Sequence, residues 1–261
     1  MYFIDVQGTL IDDAAQEPIA GAADFIDRLN RAGIPYLVVT NNTKRASTDF
    51  LAYLHSRGLA VPPSHYLDAL MLLETKIPGG RIAAYGGDVF VAQLQAMGYT
   101  LDYDVPETVL VSVSSDYTAD DFAQMIGLLM NGAELVGMHD TTLYVKRGKR
   151  YPGAGALLRM LSYAASVPFT VVGKPSEAFY TEALRRLRLQ QQDATFETVT
   201  MISDDYAGDL TGAAALGMRT ALVLSGKVRP DDALAARLRR EETGVVVYND
   251  ITEIMPVKSS V

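Results

Sequence analysis

Four short polar groups in this 261-residue chain each follow a run that reads as a buried β-strand. Asp5 closes the first run and leads into Val6-Gln7-Gly8-Thr9, where Gly8 would let backbone N–H groups come close to an anion. Thr40-Asn41-Asn42 offers a hydroxyl and two amides after the second. Gly173-Lys174-Pro175 follows a later run; Pro175 suits the first turn of a helix, which would put Lys174 near a helix N-terminus, where an anion is doubly favoured. Asp204 and Asp205 follow another, with Asp209 five residues past Asp204. A carboxylate can attack phosphorus and form an aspartyl-phosphate. Further carboxylates can hold Mg²⁺, a hard cation that prefers oxygen ligands. An ammonium and a metal ion neutralise charge on phosphoryl oxygens. Each group has a plainer reading by itself: a strand and turn at Asp5, a helix cap at Thr40-Asn41-Asn42, a surface lysine at Lys174, a solvated turn with an N-cap at Asp204-Asp205. Together they favour an anion and metal site.

The elements that must position these groups can be read from periodicity. Tyr2–Val6 and Ile34–Thr40 are short apolar runs of the kind found in buried parallel strands. Between them Ala22, Phe25, Ile26 and Leu29 recur at helical spacing until Gly33 stops the helix. Ser47–Gly58 reads as a further helix. Strand, helix, strand implies a parallel sheet with helical crossovers. The pattern resumes with strands at Phe169–Val172, Thr198–Ser203, Thr220–Leu224 and Gly244–Tyr248, and helices at Ser176–Leu187, Leu210–Leu216 and Asp231–Glu241. The middle has its own alternation: strands Arg81–Tyr85, Thr108–Val113 and Ala133–Gly137, helices Val89–Met97, Ala119–Met130 and Gly153–Ser162. The expected fold is α/β: a doubly wound, Rossmann-like core of residues 1–77 and 169–261, with residues 78–168 inserted as an α/β module. In such sheets ligands bind beyond the carboxyl ends of the strands, where the four groups fall.

Composition narrows the partners. Hydrophobic residues make up 49% and charged residues 21%, ordinary for a chain that buries a core. The net charge is -8 and the isoelectric point about 4.9, a surface that repels nucleic-acid backbones. There is no cysteine, so neither disulfides nor thiolate metal sites can form, which fits a cytoplasmic protein. The stretch MYFIDVQGTL lacks a basic start and a cleavage site, and no apolar run approaches the roughly 18 residues of a membrane span.

With D-x-x-G-T-L at Asp5–Leu10, T-N-N at Thr40–Asn42, G-K-P at Gly173–Pro175 and D-x-x-x-x-D at Asp204–Asp209, the whole chain resembles the haloacid dehalogenase (HAD) superfamily. More narrowly it is similar to the class IIA branch of NagD-type and p-nitrophenylphosphatase-like sugar or nucleotide phosphatases, whose C2-type cap lies between the second and third motifs. The phrases NGAELVG, PGAGALLRML and TALVLSGKV also look like that branch. The resemblance implies a Mg²⁺-dependent phosphohydrolase acting on a small phosphorylated metabolite. It makes Asp5 the nucleophile and a metal ligand, with the backbone carbonyl of Gln7 and the carboxylate of Asp204 completing the protein's metal contacts. Asp209 or Asp205 supports the metal through water, Thr40 and Asn41 bind the phosphoryl group, and Lys174 bridges it to Asp5. Two positions depart from the pattern. Gln7 replaces the aspartate used as general acid and base, and Ser203 replaces the glycine before the metal aspartate. The first leaves the carbonyl contact intact and removes the proton donor.

That departure motivates a second reading, a degenerate member that binds a phosphorylated ligand without efficient hydrolysis. A dehalogenase is disfavoured, because dehalogenase caps lie between the first two motifs, and because a dehalogenase needs no Mg²⁺ and would leave Asp204 and Asp209 unexplained. Outside the motifs, His139-Asp140 follows a strand of the inserted module where the branch has a substrate-facing loop. Arg147, Lys149 and Arg150 form a basic run that could attract an anion. Asp12-Asp13 reads as a polar loop, and His55 and His65 have no ligand spacing. Related proteins include cap-mediated dimers, so the resemblance is compatible with a homodimer.

Overall fold

The computed structural model describes residues 1–146, 149–241 and 244–256; Arg147 of the basic run lies outside them. In chain order the elements are β1 (Tyr2–Ile4), α1 (Ala22–Ala32), β2 (Tyr36–Thr40), α2 (Ser47–Ser56), β3 (Tyr66–Asp68), α3 (Ala69–Lys76), β4 (Arg81–Tyr85), α4 (Asp88–Ala96), β5 (Thr100–Leu101), β6 (Thr108–Val111) and α5 (Ala119–Met130). They continue as β7 (Glu134–Gly137), β8 (Leu143–Lys146), β9 (Lys149–Pro152), α6 (Ala154–Ala165), β10 (Phe169–Val171), α7 (Glu177–Leu187), β11 (Thr200–Ser203), α8 (Thr211–Ala215), β12 (Arg219–Val223), α9 (Ala233–Arg240) and β13 (Val245–Tyr248).

Six strands form one sheet in the order β13-β12-β11-β1-β2-β3. β13, β12, β11, β1 and β2 pair in parallel, each with its neighbour. β1 and β2 are buried along their whole length, which is why they are apolar runs rather than alternating ones. Helix α1 buries Ala22, Phe25, Ile26 and Leu29, and Gly33 closes it in the left-handed region at φ 58°. The chain leaves β1 for β2 on one side and reaches β11 on the other, so the switch point lies between β1 and β11.

A second, all-parallel sheet runs β10-β7-β6-β4-β5. Its core gathers Val109, Val111, Leu128, Leu135, Leu158 and Leu161 from the sheet, α5 and α6. A capping box at Thr118 and Asp121 starts α5. β8 and β9 make a separate antiparallel hairpin. By compactness the chain divides into one unit of Met1–Thr40, Thr48–Leu67 and the residues from Tyr180 onward, and another of Asn41–Ser47 and Asp68–Phe179.

Two elements differ from the sequence reading. Phe169–Val171 does not resume the six-stranded sheet; it lies at the edge of the five-stranded one, beside β7. Helix α6 returns the chain to the sheet that β7 left, as a parallel crossover does. Also, β3 and α3 carry no clear period: Ala69, Leu70, Leu72 and Leu73 are all buried, so no polar face marks the helix.

Candidate active site

The first unit brings together Asp5, Gln7, Thr40, Asp204 and Asp209. Asp5 and Asp204 sit just past β1 and β11, the two strands at the switch point, and the Asp5 N–H donates to the Ile202 carbonyl at 2.9 Å. Both carboxylates are buried, Asp5 at 6% exposure and Asp204 at 2%. Burial, and then the neighbouring Asp5 charge, push the Asp204 carboxyl well above the usual range, opposed by the Lys227 backbone N–H and charge. Two glycines enclose that carboxylate. A side chain at Gly8 (φ +71°) or at Gly226 would strike it. The Gly8 N–H donates to Ile11 O at 2.8 Å, and Ser225 Oγ to Gly8 O at 2.6 Å, so the loop after β12 grips the turn after β1.

Thr40, the last residue of β2, is fully buried and donates its hydroxyl to Gln7 Oε1 at 3.0 Å. Asp209 lies in a π-helical turn, Tyr206–Leu210, and accepts from Ser203 Oγ at 2.8 Å. Ser203 Oγ also accepts the Asp205 N–H at 3.0 Å. Ser203 therefore fixes Asp209 and the backbone beside Asp204. Asp205 caps the π turn, accepting from Gly208 N–H at 2.8 Å, and pairs with Lys227 Nζ. Lys227 also donates its backbone N–H to Asp204 Oδ2 at 2.6 Å. Burial alone would lower the Lys227 ammonium; Asp205, together with Asp204 and Asp209, outweighs it and raises the group. Sequence reasoning missed Ser225, Gly226 and Lys227 as site residues, although they follow β12 as the other groups follow their strands.

The second unit holds the remaining candidates. Lys174, at 2% exposure, and Asn41 are tied by two bonds: Lys174 N–H to Asn41 Oδ1 at 2.8 Å and Asn41 Nδ2 to Lys174 O at 3.3 Å. α7 begins at Glu177, so Pro175 stands ahead of the helix rather than in its first turn. Asn42 is structural, donating to Arg45 O at 2.8 Å and to Asp68 Oδ2 at 3.2 Å. His139 Nδ1 lies 2.9 Å from Thr141 Oγ1, and Asp140 is paired with Arg159, whose Nη2 donates to Oδ2 at 3.0 Å. Among the described residues no three His, Cys, Asp or Glu side chains form a metal cluster. Two buried carboxylates whose like charges act on each other nonetheless fit a hard divalent cation.

Comparison with known proteins defines the class. The profile of the haloacid dehalogenase-like hydrolases matches residues 2–100, and a second, HAD-hydrolase-like profile matches residues 171–254. The human haloacid dehalogenase-like hydrolase domain-containing protein 2 is 30% identical over 88% of this chain and 85% of its own. The chain belongs to the haloacid dehalogenase-like hydrolases. An acid sugar phosphatase of Staphylococcus saprophyticus is 26% identical over 86% of each chain. Two solved structures share the fold at 23% identity: NagD from Escherichia coli K-12 (TM-score 0.76, 97% of each chain) and p-nitrophenyl phosphatase from Archaeoglobus fulgidus (TM-score 0.77, 95% of each chain). The α/β fold that the motifs imply is thus the fold of this chain.

Proposed function

We propose that this hydrolase cleaves small phosphorylated metabolites through an aspartyl-phosphate on Asp5. The observation that carries the reading is the pair of buried carboxylates, Asp5 and Asp204, at the switch point of the six-stranded sheet. Asp5 and Asp204, with the Gln7 carbonyl, would hold Mg²⁺, and Asp209 would support it through water. When bound, the ion supplies neutralisation of phosphoryl charge. An Asp5 carboxylate oxygen attacks phosphorus while the bond to the leaving oxygen breaks. Thr40 binds the phosphoryl group, and the resemblance gives the same task to Asn41 and Lys174. Gln7 hydrogen-bonds but cannot deliver a proton to the leaving oxygen or take one from water, so the leaving group departs unassisted. Residues 78–168 would act as the substrate-selecting cap, with His139 and Asp140 on its substrate side. The setting we propose is cytoplasmic.

A phosphate-release screen over sugar phosphates, nucleotides and p-nitrophenyl phosphate with Mg²⁺ tests this; release above the metal-free blank on at least one member is expected. The second reading, a binder of phosphorylated ligands without efficient hydrolysis, is favoured by Gln7 and its bond to Thr40. A rise in melting temperature with a phosphometabolite and Mg²⁺, without phosphate release, would select it.

A further inference from the structure

The five-stranded sheet has a switch point of its own. From β4 the chain reaches β5 on one side and then crosses to β6 on the other, so the loops after β4 and β6 part above the sheet. A cavity of about 530 Å³ opens there, a size that suits a small organic ligand. Tyr85, Asp88, Tyr103, Asp116, Tyr117 and Asp121 line it. Every one of these residues lies within the second unit.

The three phenol hydroxyls are already committed: Tyr85 to Gln124 Oε1 at 2.9 Å, Tyr103 to Ala84 O at 2.9 Å and Tyr117 to Ser112 O at 2.7 Å. With their donors spent, the tyrosines can still offer a ligand acceptor oxygens and ring surface. Tyr85 and Tyr103 stand edge to face, with centroids 5.7 Å apart. Gly86, which also lines the cavity, packs closely on residues outside it: a Cβ there would lie 2.5 Å from the Phe90 ring and 3.2 Å from Ser112 Cβ. Asp121 accepts from Thr118 N–H at 2.7 Å and Asp116 from Ser115 Oγ at 2.8 Å. No Lys, Arg or His is among the described residues that line the cavity. Carboxylates without cations repel an anion, and electron-rich rings beside them attract an organic cation.

We propose that this cavity binds a small organic ammonium carried on a flat apolar body. The proposal goes beyond the phosphatase reading and does not need it. The chain has no tryptophan, so indole emission reports the ligand alone. The whole protein is titrated with tryptamine, with tryptophol as the neutral control and indole-3-acetate as the anionic one. Saturable tryptamine binding is expected, at least about tenfold tighter than either control. The double variant Asp88→Asn, Asp116→Asn changes two exposed side chains and should melt like the parent while binding tryptamine about tenfold more weakly. Equal affinity for indole-3-acetate, unsaturable tryptamine signals, or a double variant with unchanged affinity would overturn the proposal. Two sources could supply the ammonium, a free amine or a phosphorylated substrate bearing one. If the double variant raises KM for O-phosphotyramine and not for p-nitrophenyl phosphate, the amine rides on the substrate; if it raises neither while losing tryptamine, the amine is free. Absence of turnover on both esters counts against the phosphatase reading only, because the titration requires no turnover.

Discussion

Asp5→Asn exchanges a nucleophilic carboxylate for a nearly isosteric amide, so phosphate release should fall below about a thousandth of the parent rate while the fold persists. Retained turnover in a steady-state assay would remove the aspartyl-phosphate from the mechanism. Gln7 poses the opposite test. General acid–base catalysis is worth roughly 10²–10⁴-fold, so Gln7→Asp should raise hydrolysis of alkyl phosphates by up to that factor. Aryl phosphates need less help in leaving, so their first step should gain less. Because the parent also lacks a base for the second step, phosphorylated Asp5 should accumulate. Burst kinetics on one substrate of each kind measure both effects, and a Gln7→Asp protein no faster on any ester would leave the acid–base argument without support.

Loops and helices carry their own tests. Gly226, after β12, and Gly8, after β1, both face the Asp204 carboxylate, and a methyl group at either has no room. Gly226→Ala should cost about 1–3 kcal/mol of stability through overpacking and weaken the response of activity to Mg²⁺. A chemical denaturation curve and a metal titration check the two halves. In the second unit Tyr99 is buried at 7% exposure and donates to the Ile77 carbonyl at 2.9 Å. Burial, then the Glu74 charge, raise its phenol to about 12. A folded pKa above the unfolded value of about 10 gives a contribution fully present below pH 10 and lost as pH rises toward 12. The stability advantage of the parent over Tyr99→Phe should therefore shrink across that window, as denaturation at pH 9, 10.5 and 12 would show.

At the scale of the whole molecule, all six strands of the first sheet lie outside residues 80–171, whereas every strand of the second lies within them. Replacing 80–171 by a short Gly-Ser linker should leave a chain that still melts cooperatively. A cut at 168 instead would leave Phe169–Val171 without the β7 strand it pairs with. A broad, non-cooperative melt of the 80–171 deletion would show that the first sheet depends on the insertion. Chelation gives a second global test: EDTA should abolish activity and Mg²⁺ restore it, while Asp204→Ala should stay inactive at any metal concentration.

The sequence by itself determined the doubly wound class, the order of its main elements and the four polar groups, because buried parallel strands are apolar runs and ligand groups must follow them. It marked Asp5, Thr40 and Asp204 by their place at strand ends, without any knowledge of which strands are neighbours. Only the tertiary structure decided that β1 and β11 are adjacent, so that two carboxylates 199 positions apart share one buried site. It also decided that Phe169–Val171 joins the second sheet, and that Lys227 and Gly226 close on Asp204. Strand pairing and loop contact depend on long-range packing, and a three-residue strand or a single lysine carries too little local pattern to declare its partner. The cavity between the loops after β4 and β6 is the plainest case: its tyrosines and aspartates are scattered from 85 to 121 and become one surface only when β4 and β6 pair.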